Sequence, residues 1–203
     1  MNNQSEAKAA LMKAWPHIIE ECCQVLGSEL HYQAMIYHCL RQYGKVPVDQ
    51  IGMNVKMAVA NPQSPFFKEQ EGKRVLDYQG EFEPIPDIVL FKSTINTDWR
   101  RRNNENTLTH MLMAIEIKAS EQKNSRLGPG DIEFDINKLD ALRFEVRRLG
   151  GSVVPVMIVI DTAPKTNERM VPKSLERVQE FAKNKKVEFF YVSPDKTGPS
   201  CFF

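Results

Sequence analysis

The stretch that decides the fold is Leu112-Met113-Ala114-Ile115-Glu116-Ile117-Lys118-Ala119, taken together with Ile85-Pro86-Asp87-Ile88-Val89-Leu90-Phe91 upstream. Both runs are short, apolar and rich in β-branched residues, the composition of core strands. Side chains alternate along a strand, so Glu116 and Lys118 share one face and Ile115 and Ile117 the other. A charge on a core strand has to be paired or bound to a metal, because burying it uncompensated is costly. Two adjacent strands that each bring a carboxylate, one with a lysine two residues on, make the pattern of a divalent-metal site with a cationic assistant. The plainer alternative is a structural salt bridge at a sheet edge.

Working outward, strands are expected over 86–92 and 109–119. The segment 92–107 between them contains Asp98-Trp99-Arg100-Arg101-Arg102-Asn103-Asn104 and reads as a long, exposed hairpin tip. After the second strand, 121–130 is a polar loop punctuated by Gly and Pro. Asp131 or Asp135 can cap the helix that follows, to about Leu149, along which Ile136, Leu139, Leu142, Val146 and Leu149 fall at spacings of three and four. Residues 153–160 form the most apolar strand, 174–184 a helix with Leu175, Val178 and Phe181 inward, and 187–192 a strand that closes the sheet. Upstream, 5–43 reads as helix in two pieces, 6–26 and a second one capped by Ser28. Pro16 marks a kink or a restart in the first. On the second, Tyr32, Ile36 and Leu40 share a face, and Glu29 lies on it at helical spacing. Residues 46–60 read as one or two strands, 61–72 as a loop and 74–79 as a strand. The front half thus supplies antiparallel hairpins, while the back half alternates helix and strand and favours parallel pairing by right-handed crossovers. The expected fold is a single α/β domain over 1–203, with an N-terminal helical segment and a mixed central β-sheet flanked by helices.

The composition sets bounds on partners. The 203 residues are 42% hydrophobic and 26% charged, with a formal net charge of +1. That near-neutral balance offers no global attraction for a polyanion, so any such attraction has to be local. The four cysteines, Cys22, Cys23, Cys39 and Cys201, form neither a CxxC pair nor a zinc pattern, which predicts a reduced, cytoplasmic chain. The polar start of the sequence predicts no secretory signal. No apolar stretch approaches the ~20 residues that span a bilayer, so no membrane partner is expected. His17, His31, His38 and His110 show no ligand spacing, and Arg143, Arg147 and Arg148 read as a solvated helix face.

Pro86-Asp87 followed by Glu116-Ile117-Lys118 resembles the PD-(D/E)xK nuclease superfamily, the restriction endonucleases and their relatives. The resemblance covers most of the chain, because the order helix, strands bearing PD and ExK, helix, strand also agrees. It implies a restriction-endonuclease-like α/β/α core and a metal-dependent nuclease that hydrolyses phosphodiester bonds, with DNA the expected substrate and RNA left open. Phosphodiester hydrolysis needs a nucleophilic water and stabilised charge on the phosphate, both of which divalent ions supply. The implied cofactor is Mg²⁺, for which Mn²⁺ can substitute, held by the Asp87 and Glu116 carboxylates and the main-chain carbonyl of Ile117. Lys118 then orients or deprotonates the attacking water, or stabilises the transition state. Many members add a glutamate from the first helix. Glu29 is the choice here, with Glu20 and Glu21 as alternatives if the register differs. Gln33 shares that face and can hold a water beside the metal, and Lys138 is placed to contact a phosphate. Trp99 with Arg100, Arg101 and Arg102 reads either as a nucleic-acid contact, with guanidinium groups for phosphates and an aromatic for a base, or as a soluble loop. A chain this short leaves target choice to loops, a homodimer or a partner protein. The rival reading is a non-catalytic nucleic-acid-binding or assembly protein that keeps the nuclease fold.

Overall fold

The computed structural model describes residues 1–72, 81–98, 104–194 and 197–201. In chain order the elements are α1 (Gln4–Cys22), α2 (Glu29–Gln42), β1 (Ile51–Met53), β2 (Val59–Ala60), α3 (Pro65–Gly72), β3 (Glu81–Phe82), β4 (Ile88–Phe91) and α4 (Asn104–His110). They continue with β5 (Met111–Ala119), α5 (Pro129–Arg148), β6 (Val154–Ile160), α6 (Pro172–Asn184), β7 (Glu188–Val192) and β8 (Thr197–Cys201).

The main sheet has six strands in the order β1-β4-β5-β6-β7-β8, and β2 pairs with β3 apart from it. The first three are antiparallel neighbours, β5, β6 and β7 run parallel, and β8 returns antiparallel on the far edge. The change from antiparallel to parallel falls at β5, where α5 supplies the crossover. The expected mixed sheet with helices on both faces is therefore the observed architecture.

Each face of the sheet buries its own core. On one side, Leu11, Ala14, Trp15 and Ile18 of α1 and Tyr32, Ile36 and Leu40 of α2 pack against Ile115, Ile117, Val156 and Ile158. On the other, Ile136, Leu139, Leu142 and Val146 of α5 and Leu175 and Val178 of α6 pack against Val89, Ala114, Met157 and Val159. The strands are covered on both faces, which is why 154–160 is buried at every position and reads as a continuous apolar run. Local chemistry agrees with these placements. Asn3 caps α1 by accepting the Glu6 N–H at 3.0 Å. Gly150, at φ 80°, terminates α5 in the conformation that costs glycine least. No helix among the described residues is long and apolar enough to cross a membrane.

Several expectations change. Residues 61–72 are not all loop, because Pro65–Gly72 is a helix with Pro65 in its first turn and Ser64 Oγ accepting the Phe67 N–H at 3.3 Å. Segment 92–107 is not a simple hairpin tip. Ile95 and Leu108 are buried, and Asn104–His110 is a helix that runs straight into β5. Neither Asp131 nor Asp135 caps α5, which starts earlier, with Gly128 as its cap and Pro129 at its first position. The first helix ends at Cys22, short of the expected 26, and Val25 beyond it is exposed. Pro16 lies inside α1 without ending it. Nor does 187–192 close the sheet, since β8 adds one more strand. The strand expected over 74–79 lies outside the described residues.

Candidate active site

The site forms where β4 starts and β5 runs on past it. The β4–β5 pairing reaches Ile88↔Ile115, and beyond it Glu116 to Ala119 are paired with β6. One edge of β5 is thereby exposed to whatever precedes β4, and that is Asp87. Its Oδ2 accepts the N–H of Ile117 at 2.7 Å. Its carbonyl accepts the Asn54 N–H at 3.1 Å and also the carboxamide of Gln33. Asp87 is thus fixed from three directions, by β5, by the residue that follows β1, and by α2. On a strand, one residue's N–H and C=O leave by the same edge, so the Ile117 carbonyl leaves on Asp87's side.

Glu116 points to the α5 face, buried, with Oε2 2.8 Å from Nζ of Lys138. Its Oε1 is buried and has no hydrogen-bond partner. Lys138 also reaches Asp135 Oδ1 at 3.4 Å. Asp135 is itself buried, and its Oδ2 forms an ion pair with Lys118 Nζ at 3.0 Å. Lys118 in turn lies 3.3 Å from Glu29 Oε2. Glu29 sits in the first turn of α2, and its own N–H donates to Glu121 Oε2 at 2.9 Å. Glu29, Glu116 and Asp135 are therefore linked through two ammonium groups, beside Asp87. With all groups ionised, these four carboxylates exceed the ammoniums of Lys118 and Lys138 by two negative charges.

The electrostatics follow from burial. Desolvation pushes the Glu116 carboxyl well above its usual range. Lys138 opposes that shift, while Asp135 and Asp87 add to it. Asp87 is raised by burial too, against the lowering effect of the Ile117 N–H and of both lysines. For Lys118 burial works against the charge, but Asp135 and Glu29 outweigh it and its pKa rises. Lys138 rises in the same way, held by Glu116 and Asp135 against its burial.

A cleft of about 420 Å³ opens beside the cluster, with Glu29, Lys118 and Asp135 on one wall and the 120–128 loop on the other. Among the described residues, no three His, Cys, Asp or Glu side chains stand grouped as a ready metal cage. The donor set still suits a hard divalent ion. It consists of carboxylate oxygens, one of them buried without a partner, in a cluster whose formal excess is two negative charges.

Of the residues singled out from sequence, Asp87, Glu116, Ile117, Lys118, Glu29 and Lys138 come together here. Gln33 lies beside them in a different role. Its amide nitrogen is engaged by the Asp87 carbonyl, and its oxygen accepts Asn54 Nδ2 at 3.2 Å, so it props the backbone of Asp87 instead of holding a water. Glu20 is exposed and Glu21 hydrogen-bonds Cys39, away from the cluster. Trp99, Arg100, Arg101 and Arg102 lie outside the described residues. Sequence reasoning missed Asp135, Asn54 and Glu121. For Asp135 a signal existed: it stands in the apolar register of α5, with Ile132, Ile136, Leu139 and Leu142, where an acidic residue needs a partner. Comparison of the chain with models of protein families, with curated proteins and with solved structures gave no match.

Proposed function

We propose that the chain is a divalent-metal-dependent nuclease of the PD-(D/E)xK kind, acting on DNA. The observation that carries this reading is the bond from the Asp87 carboxylate to the Ile117 N–H, which brings the two halves of the motif to one point of the sheet. Asp87 and Glu116 would hold the ion, together with the Ile117 carbonyl. Mg²⁺, or Mn²⁺ in its place, would supply Lewis acidity at the phosphate and a water of lowered pKa. Lys118 has its ammonium at the cleft wall, aimed by Asp135 and Glu29. There it would stabilise the charge that grows on the phosphate oxygens as the water oxygen bonds to phosphorus, its proton passing to solvent, while the bond to the leaving oxygen breaks and that oxygen takes a proton from solvent. The raised pKa of Lys118 supports a role in stabilising charge over one in removing a proton.

One observation favours the rival, a non-catalytic DNA-binding or assembly protein. Lys138 already neutralises Glu116 within the chain, as a purely structural ion-pair network would. Incubation of the chain with plasmid, single-stranded DNA and RNA, with and without Mg²⁺ or Mn²⁺, beside an Asp87→Ala control, tests the two. Metal-dependent cleavage that the control lacks supports the enzyme. Binding to DNA without cleavage under every metal condition supports the rival.

A further inference from the structure

A cation is already lodged on Glu116, and it belongs to the chain. Lys138 projects from the third turn of α5 and sets its ammonium 2.8 Å from Glu116 Oε2, with both side chains largely shielded from water. Asp135, one turn earlier on the same helix, offers the same ammonium a second acceptor at 3.4 Å. We propose that Lys138 is an internal counter-ion that competes with a divalent cation for the carboxylate of Glu116, and that Asp135 is where its ammonium stays when the cation takes its place.

The proposal rests on the nuclease reading and deepens it. An ammonium and a divalent ion cannot both occupy the same buried oxygen, because the like charges repel strongly where water is excluded. Without Lys138, the ionised form of Glu116 would lie buried with no counter-charge. With Lys138, the empty site is tolerated, at the expense of affinity for the ion. Displacement need not eject the lysine into solvent, since Asp135 already holds it and lies one helical turn away on the same face. Once off Glu116, the ammonium stands beside the cleft with a free donor, the position from which it could meet a phosphate oxygen. Cation entry and the release of a substrate-facing lysine are then one event.

Calorimetric titration of Mn²⁺ into the wild-type chain and into Lys138→Met tests this without any cleavage assay. The variant keeps the aliphatic length and loses the charge, so it should bind Mn²⁺ more tightly, on the order of tenfold. Equal or weaker binding by the variant overturns the competition. Should Lys138→Met fail to fold, the wild-type chain gives the same answer. Acetic anhydride labelling of Lys138, read by peptide mass spectrometry, should rise when saturating Mn²⁺ is present, and unchanged labelling at saturation overturns the proposal. Wild-type binding together with an unimproved variant sinks only the role of Lys138. Absence of Mn²⁺ binding in both proteins sinks the metal reading and this proposal together.

Discussion

Asp87 Oδ2 accepts the main-chain N–H of Ile117 at 2.7 Å, so the residue that opens β4 does for β5 what a longer β4 would otherwise do. On the proposed function the same carboxylate would satisfy a backbone donor and hold the metal ion. The two tasks separate by substitution. Asp87→Asn keeps an oxygen for the Ile117 N–H and should leave stability within about 1 kcal/mol of wild type, while Mn²⁺ binding and cleavage are lost. Asp87→Ala removes the acceptor as well and should cost about 1–3 kcal/mol more. Urea denaturation run beside Mn²⁺ titration checks the pair. Equal stability of the two variants would show that the Asp87–Ile117 bond holds nothing.

Lys118 meets its partners as a cation, pairing with Asp135 at 3.0 Å and donating to Glu29 Oε2 at 3.3 Å. Lys118→Ala removes a positive charge and no oxygen donor. Turnover should fall on the order of 10²–10³-fold, the usual loss for one well-placed stabiliser of transition-state charge. Mn²⁺ affinity should hold or rise. Wild-type turnover in this variant, with Asp87→Ala inactive, would make the lysine structural.

The fold was legible where burial leaves a mark on the sequence. The runs 88–91, 111–119 and 154–160 are covered on both faces, so their apolar character survives as continuous strings. Glu29 could be placed because it shares helical spacing with Tyr32, Ile36 and Leu40, all buried. The missed helix α3 shows the opposite case. Phe67 is its buried residue, and the rest of its pattern is polar with proline at the start, which reads as loop. Its anchor is tertiary: Glu145, fully buried on α5, accepts the N–H groups of Gln63 and Ser64 at 2.6 Å each. Asp135 was read as a helix cap because acidic residues gather at helix starts. Its true partners, Lys118 and Lys138, include one on a different element that no local pattern names.

That anchor gives a third expectation. Glu145→Ala strips two backbone donors of their acceptor and Arg148 of its 2.8 Å partner. The fold should lose about 3 kcal/mol. The loss should appear in chemical denaturation while Mn²⁺ affinity stays near wild type, because Glu145 lies about two turns further along α5 than Lys138. A parallel fall in Mn²⁺ affinity would mean that α5 shifts as a whole.

The burial of Glu116 also fixes how the metal-free chain should respond to pH. Its carboxyl is held well above the ordinary 4.5 by desolvation, so between 4.5 and that raised value the folded chain keeps a proton that the unfolded chain has released. The folded state then binds more protons than the unfolded one. Stability must fall as pH rises through this window and return on acidification. Asp87, raised above 3.8 chiefly by its own burial, adds a slope of the same sign at the acidic end. Glu116→Gln is neutral at every pH, so it should flatten the slope, whatever constant amount it costs by removing the partner of Lys138. Denaturant titrations in EDTA at intervals upward from about pH 5 give that slope directly. A wild-type chain that gains stability as pH rises across this range, or a variant with an unchanged slope, would place the proton elsewhere. On the proposed function, saturating Mn²⁺ should reverse the wild-type trend, because the ion would bind the ionised carboxylate and each proton taken up on acidification would compete with it.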